Sequence, residues 1–265
     1  MTEHNHYAPP RTEVREMPTG GSMDGDQFIP EGRTCPAASG WRWYGTAWRL
    51  FKAQPFAWWG VLLITFGVLI LVSLVPLLNL LTSIAFPIVA AGLGSCARSL
   101  IKDGRFDVSQ VFDGFKRRPG ALLMAGLLYL LLVILGMGVV LLFSAGSAGA
   151  LFLGNMAERQ MAMHQVFAAG GFIILAYVLV MAAAVSAIAF APYLIHEQNL
   201  PVPKAMALSF KACFKNIPAS LVWILSYILW AIVATIPLGL GWLVLIPVLF
   251  LTGYVGYRDI FYEQA

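Results

Sequence analysis

Charge is what this 265-residue chain has least of: Asp, Glu, Lys and Arg make up 11% of it, while 59% is hydrophobic. An ordinary soluble domain is about a quarter charged, so a water-soluble globular fold is excluded for most of the length. Cysteine is scarce too. Cys35, Cys96 and Cys213 lie far apart with no C-x-x-C between them, which argues against a disulfide framework. The first forty residues contain no apolar run, so no secretory signal is read there. Catalytic vocabulary is missing as well: no nucleophile–base pair, no Gly-rich phosphate loop and no acidic pair of hydrolase character. A non-enzymatic protein without cofactor or metal is therefore expected.

What is present is a series of long apolar segments, at about 56–78, 80–100, 121–143, 171–195, 219–237 and 239–257. Each is near the ~20 residues that cross a bilayer as a helix. The expected fold is all-α: a polytopic membrane bundle of six transmembrane helices. Arg98 is the one charge inside these segments, close to an end, and their cores hold no Asp, Glu, His or Lys. Cations crowd alternate connections: Arg42, Arg49 and Lys52; Arg98, Lys102, Arg105 and Lys116 to Arg118; Lys204, Lys211 and Lys215; then Arg258. The opposite connections hold Arg159 alone. Under the positive-inside rule both termini are cytoplasmic. The net charge of +4 is explained by this topology, and no nucleic acid is expected as a partner.

Residues 1–38 are polar and rich in Pro and Gly, the composition of a disordered cytoplasmic tail, with the transmembrane domain at 39–265. His4 and His6 on such a tail are not read as a metal site. A short pattern then recurs. Phe-Lys-x-x-Pro stands at Phe51–Pro55, Phe115–Pro119 and Phe214–Pro218, where chance gives roughly 0.02 matches, so an internal repeat is expected.

Each copy ends a segment with helical amphipathic spacing. In 41–52 the apolar face is Trp43, Tyr44, Ala47, Trp48, Leu50 and Phe51; in 107–118 it is Val108, Val111, Phe112 and Phe115; in 204–215 it is Met206, Phe210, Cys213 and Phe214. Three units follow, each an interfacial helix plus a transmembrane hairpin. Pro87–Arg98 and Pro247–Arg258 repeat one spacing, while Pro192 has Pro203 where the Arg would fall. Trp48, Phe51, Phe115 and Phe214 are expected as acyl-level anchors. Lys52, Arg98, Lys116, Arg117, Lys215 and Arg258 are the candidate ligands of anionic lipid headgroups.

Other features carry less. "SAGSAGA", residues 144–150, reads as helix-breaking and opens the one sizeable outer connection. Met156, Met161, Met163 and His164 are soft ligands that suit Cu(I), but methionine commonly serves as apolar filler in interfacial helices, and that is the reading taken. Small-residue ladders at Ala183, Ala187 and Ala191, and at Ala90 and Gly94, predict close helix contacts. His196 and Glu197 form the best acid–base pair, on what reads as a solvated connection.

The opening "SGWRWYGTAWRLFKAQPFAWW" and the closing "YVGYRDIF" resemble a family of uncharacterised proteobacterial inner-membrane proteins. More loosely, "APYLIHEQNLPVPKAMALSFKACFKN" is similar to bacterial membrane domains that are sometimes fused to glycerophosphodiester phosphodiesterases. The resemblance implies a helical fold in the bacterial cytoplasmic membrane and supplies no activity. The expected role is membrane organisation, through binding of anionic lipid or as an accessory subunit of another membrane protein. The alternative is a transporter or flippase-like permease for a lipid or small amphiphile.

Overall fold

The computed structural model describes residues 27–74 and 76–263. Among these described residues ten α-helices follow one another: α1 (Ser39–Ala53), α2 (Pro55–Ser73), α3 (Pro76–Asp103), α4 (Asp113–Lys116), α5 (Pro119–Leu153), α6 (Met156–Ala189), α7 (Ala191–Glu197), α8 (Val202–Lys215), α9 (Ile217–Thr235) and α10 (Trp242–Phe261). A 3-10 turn, Val108–Phe112, precedes α4. Five stretches are long and apolar enough to cross a membrane: Ile84–Asp103, Pro119–Gly138, Gly170–Glu197, Ile217–Thr235 and Trp242–Phe261. A sixth arises if Ser39–Ala53 and Pro55–Leu71, bent by 96°, count as one broken span. The protein is an all-α polytopic bundle, as its composition requires.

The recurring prolines have a structural role. Pro55 and Pro119 are the first residues of α2 and α5, and Pro218 is the second of α9. Proline has no N–H to leave unpaired at a helix start and its φ already suits the helix. Each motif therefore ends one element and starts the next. The segment before each proline packs back on a long helix: α1 along α10 and α9, the 3-10 turn and α4 along α3, and α8 along α6 and α7. Through α1 the first described helix closes onto the last two.

The middle amphipathic segment departs from expectation: 107–118 is a 3-10 turn plus four α-helical residues instead of one helix. Asp107 begins it by accepting a hydrogen bond from the Ser109 N–H, at 2.9 Å. Contact with α3 decides the shape. A Cβ on Gly92 would lie 2.0 Å from the Val111 carbonyl oxygen, and one on Gly114 would lie 2.2 Å from that of Ile88. The two backbones touch, which a regular helix carrying side chains on that face would prevent.

The "SAGSAGA" stretch is helical and lies inside α5, not in a loop. Alanine is the best helix former, and each glycine costs only about 1 kcal/mol in a helix interior. The turn is short instead. Asn155 caps α6 by accepting from the Glu158 N–H while Glu158 accepts from that of Asn155. At 1.5 Å per residue, the 35 residues of α5 measure about 50 Å, beyond the ~30 Å of a hydrocarbon core.

Prolines inside α3 and α10, Pro87 and Pro247, leave those helices continuous. At Pro192 the chain instead breaks into α6 and α7. The Ser209 hydroxyl from α8 enters the break, accepting from the Phe190 N–H at 2.9 Å and donating to the Ser186 carbonyl at 2.7 Å. A side chain inserted into the i→i−4 ladder is a recognised cause of a kink.

Candidate functional site

Tyrosines and charged side chains gather where α3 packs against α7 and α10. The expected small-residue contact forms there: a Cβ on Gly94 of α3 would lie 2.8 Å from the Tyr193 ring of α7. Tyr193 in turn packs on Tyr254 and Tyr257 of α10, with ring centroids 5.5 and 5.2 Å apart. Glu197, at the end of α7, sits among these rings. Its Oε1 accepts from Tyr254 Oη at 3.0 Å and its Oε2 from Tyr262 Oη at 3.3 Å. Gln198 Nε2 donates to Tyr262 Oη at 2.7 Å. The cations acting on the Glu197 carboxylate include Arg98 and Arg258, the pair the repeat had matched, and Arg258 also lies 5.5 Å from the centre of the Tyr262 ring. α3 and α10 thus each contribute an arginine, and α7 contributes the acid.

This corrects the placing of His196 and Glu197 on a solvated connection. Both belong to α7. His196 is buried against the Asp113 backbone, and its Nε2 has no hydrogen-bond partner among the described residues.

A second correction concerns the tail. Residues 1–26, with His4 and His6, lie outside the described residues, but 27–38 pack onto the ends of α8 and α10 as a strap. Ile29 and Arg33 donate backbone N–H bonds to the Phe261 and Ile260 carbonyls, both at 2.8 Å. The Arg33 guanidinium pairs with Asp259, whose other carboxylate oxygen accepts from Trp43 Nε1 at 2.8 Å. Asn216 accepts from the Cys35 N–H at 2.6 Å and donates to the Arg33 carbonyl at 3.0 Å. Phe28 stacks on Phe261. Polarity suggested disorder because these partners stand far along the chain. Burial, reinforced by the Asp259 charge, pushes the Cys35 thiol up to about 11, so less of it is thiolate at any pH below that.

The expected lipid-contact residues divide. Lys52, Lys116 and Arg117 are exposed; Lys52 lies 5.7 Å from the Trp48 ring centre, and Lys116 is 3.5 Å from Asp113. Phe115 and Phe214 are 56% and 55% exposed and Trp48 is 42% exposed, whereas Phe51 is 4% exposed. Phe51 is a core residue and no anchor, because α1 turns that face toward the bundle. Lys215 donates to the Gly32 carbonyl at 2.7 Å and so holds the strap. Arg98 and Arg258 are drawn in toward Glu197. Met156, Met161 and Met163 are more than half exposed near the start of α6.

Sequence reading missed Arg33, Asp259, Asn216 and the tyrosines around Glu197. The available signal was their position, since Trp43 and Asp259 belong to the two end motifs, "GWRW" and "YRDIF", which dock on each other. It also missed an apolar cleft of about 530 Å³ between α1, α9 and α10, where Trp41 stacks on Trp230 at 5.8 Å.

Several helices long and apolar enough to cross a bilayer make this a multi-pass α-helical membrane protein. Comparison with protein-family models, with curated proteins and with solved structures finds no match in any of the three.

Proposed function

We propose that this is a non-enzymatic membrane-organising protein of the bacterial cytoplasmic membrane that binds anionic lipid. The observation that carries the reading is the exposure of cations beside half-exposed aromatics: Lys116 and Arg117 next to Phe115, and Lys52 over Trp48. Such pairs place an apolar body at the acyl boundary and a charge at phosphate level, where each cation contributes about 1 kcal/mol of attraction to an anionic surface. The test is native mass spectrometry of protein released with its lipid, wild type against a Lys52→Gln, Lys116→Gln, Arg117→Gln variant. Loss of bound anionic lipid is the expected result, and an unchanged lipid profile rejects the reading. Lys215 is left intact because it holds the strap.

A permease for a lipid or small amphiphile is the second reading. It draws on Glu197 with Arg98 and Arg258, since all three lie within candidate spans and ionisable groups inside spans mark transport paths in many carriers. It predicts lipid scrambling in proteoliposomes that Glu197→Gln reduces at least tenfold. Absence of scrambling by the wild-type protein disposes of it.

A further inference from the structure

We infer that the cleft between α1, α9 and α10 is a binding site for a phospholipid acyl chain, which deepens the lipid-binding reading above and rests on it. One wall is the α1 face carrying Trp41, Tyr44 and Trp48, residues three and four apart on one side of a helix. Trp230 of α9 and Val244 and Val248 of α10 form the others. Trp41 and Trp48 are each more than 40% exposed, so the cleft is open along one side. On α9 the lining residues Trp230 and Val233 are themselves exposed, at 37% and 45%, and α9 is itself a span by length and composition. The opening therefore faces hydrocarbon, and its occupant is drawn from there.

The volume of about 530 Å³ lies within the ~300–1,000 Å³ usual for ligand sites. The indole rings suit a lipid in particular, since each joins a broad apolar face to one N–H that an ester carbonyl can accept. Lys52, held over Trp48 at 5.7 Å from the ring centre, supplies the positive charge at one end for a phosphate.

Gly45 makes the site testable. It lines the cleft, and a Cβ there meets no atom within 4 Å, so Gly45→Leu fills the cleft without displacing a wall. The full chain in nanodiscs is irradiated with phosphatidylglycerol carrying a diazirine in its acyl chain, and adducts are mapped by peptide mass spectrometry. Adducts are expected to concentrate on 41–48 and 230–234, above the level on the exposed α6 surface at Phe172, Ile174 and Leu175. Gly45→Leu is expected to abolish the cleft adducts while leaving those on α6 and the melting temperature unchanged. Adducts spread evenly over the apolar surface, or cleft adducts that survive Gly45→Leu, overturn the inference. A phosphatidylethanolamine probe separates the two readings. Equal cleft labelling by both lipids keeps the chain site and removes headgroup selection, whereas labelling by phosphatidylglycerol alone supports both.

Discussion

Asp259→Ala is expected to free the amino-terminal strap and lower stability by about 3 kcal/mol, the low end of what breaking a buried ion pair costs. The low end applies because the Arg33 side chain is 37% exposed, against 12% for Asp259, and water compensates part of the loss. Trp43 Nε1, on a buried side chain, also loses its partner, and an unsatisfied buried donor adds to the deficit. Two readouts check the result. Thermal unfolding in detergent gives the stability, and N-ethylmaleimide labelling of Cys35 reports the strap. Only the thiolate reacts, and its population rises tenfold per pH unit until about 11 in the folded protein. At pH 8 wild-type Cys35 should therefore label roughly a hundredfold more slowly than an ordinary thiol of pKa near 9, and burial slows it further. Removing Asp259 lowers the thiol pKa and opens the strap, so both effects speed labelling. Unchanged melting and unchanged labelling together would show that the strap is held by other contacts.

Gly92→Ala is the second large effect. Its added methyl would sit 2.0 Å from the Val111 carbonyl oxygen and 2.8 Å from the carbonyl carbon. No rotamer change relieves a clash with backbone, so the 104–118 segment must move off α3. The cost should exceed the 1–3 kcal/mol usual for an overfilled core, and Gly126→Ala, 2.1 Å from the Ile84 carbonyl oxygen, should behave alike. Gly120→Ala and Gly138→Ala are the controls. Their Cβ atoms meet nothing within 4 Å, and in helix α5 each should be neutral or stabilising by up to about 1 kcal/mol. Size-exclusion chromatography of fluorescent fusions gives the folded fraction. Equal profiles for Gly92→Ala and Gly138→Ala would refute the close approach.

The sequence by itself determined whatever depends on composition or neighbouring residues. Low charge and runs of about twenty apolar residues specify membrane-crossing helices, because only a segment that satisfies its own backbone is stable in hydrocarbon. The three Phe-Lys-x-x-Pro prolines mark helix starts for an equally local reason, the missing N–H. Tertiary structure decided the rest. Arg33 and Asp259 are separated by 226 positions and Tyr262 and Glu197 by 65, so no local pattern announces that they meet. The 27–38 strap looked disordered because its binding surface belongs to the other end of the chain. Pro192 breaks its helix, with the Ser209 hydroxyl in the gap, while Pro87 and Pro247 leave theirs continuous. Phe51 is buried and Phe115 exposed at the same place in the motif. Periodicity predicts that a helix has an apolar face, but which part of that face meets protein and which meets lipid depends on how helices far apart in sequence pack.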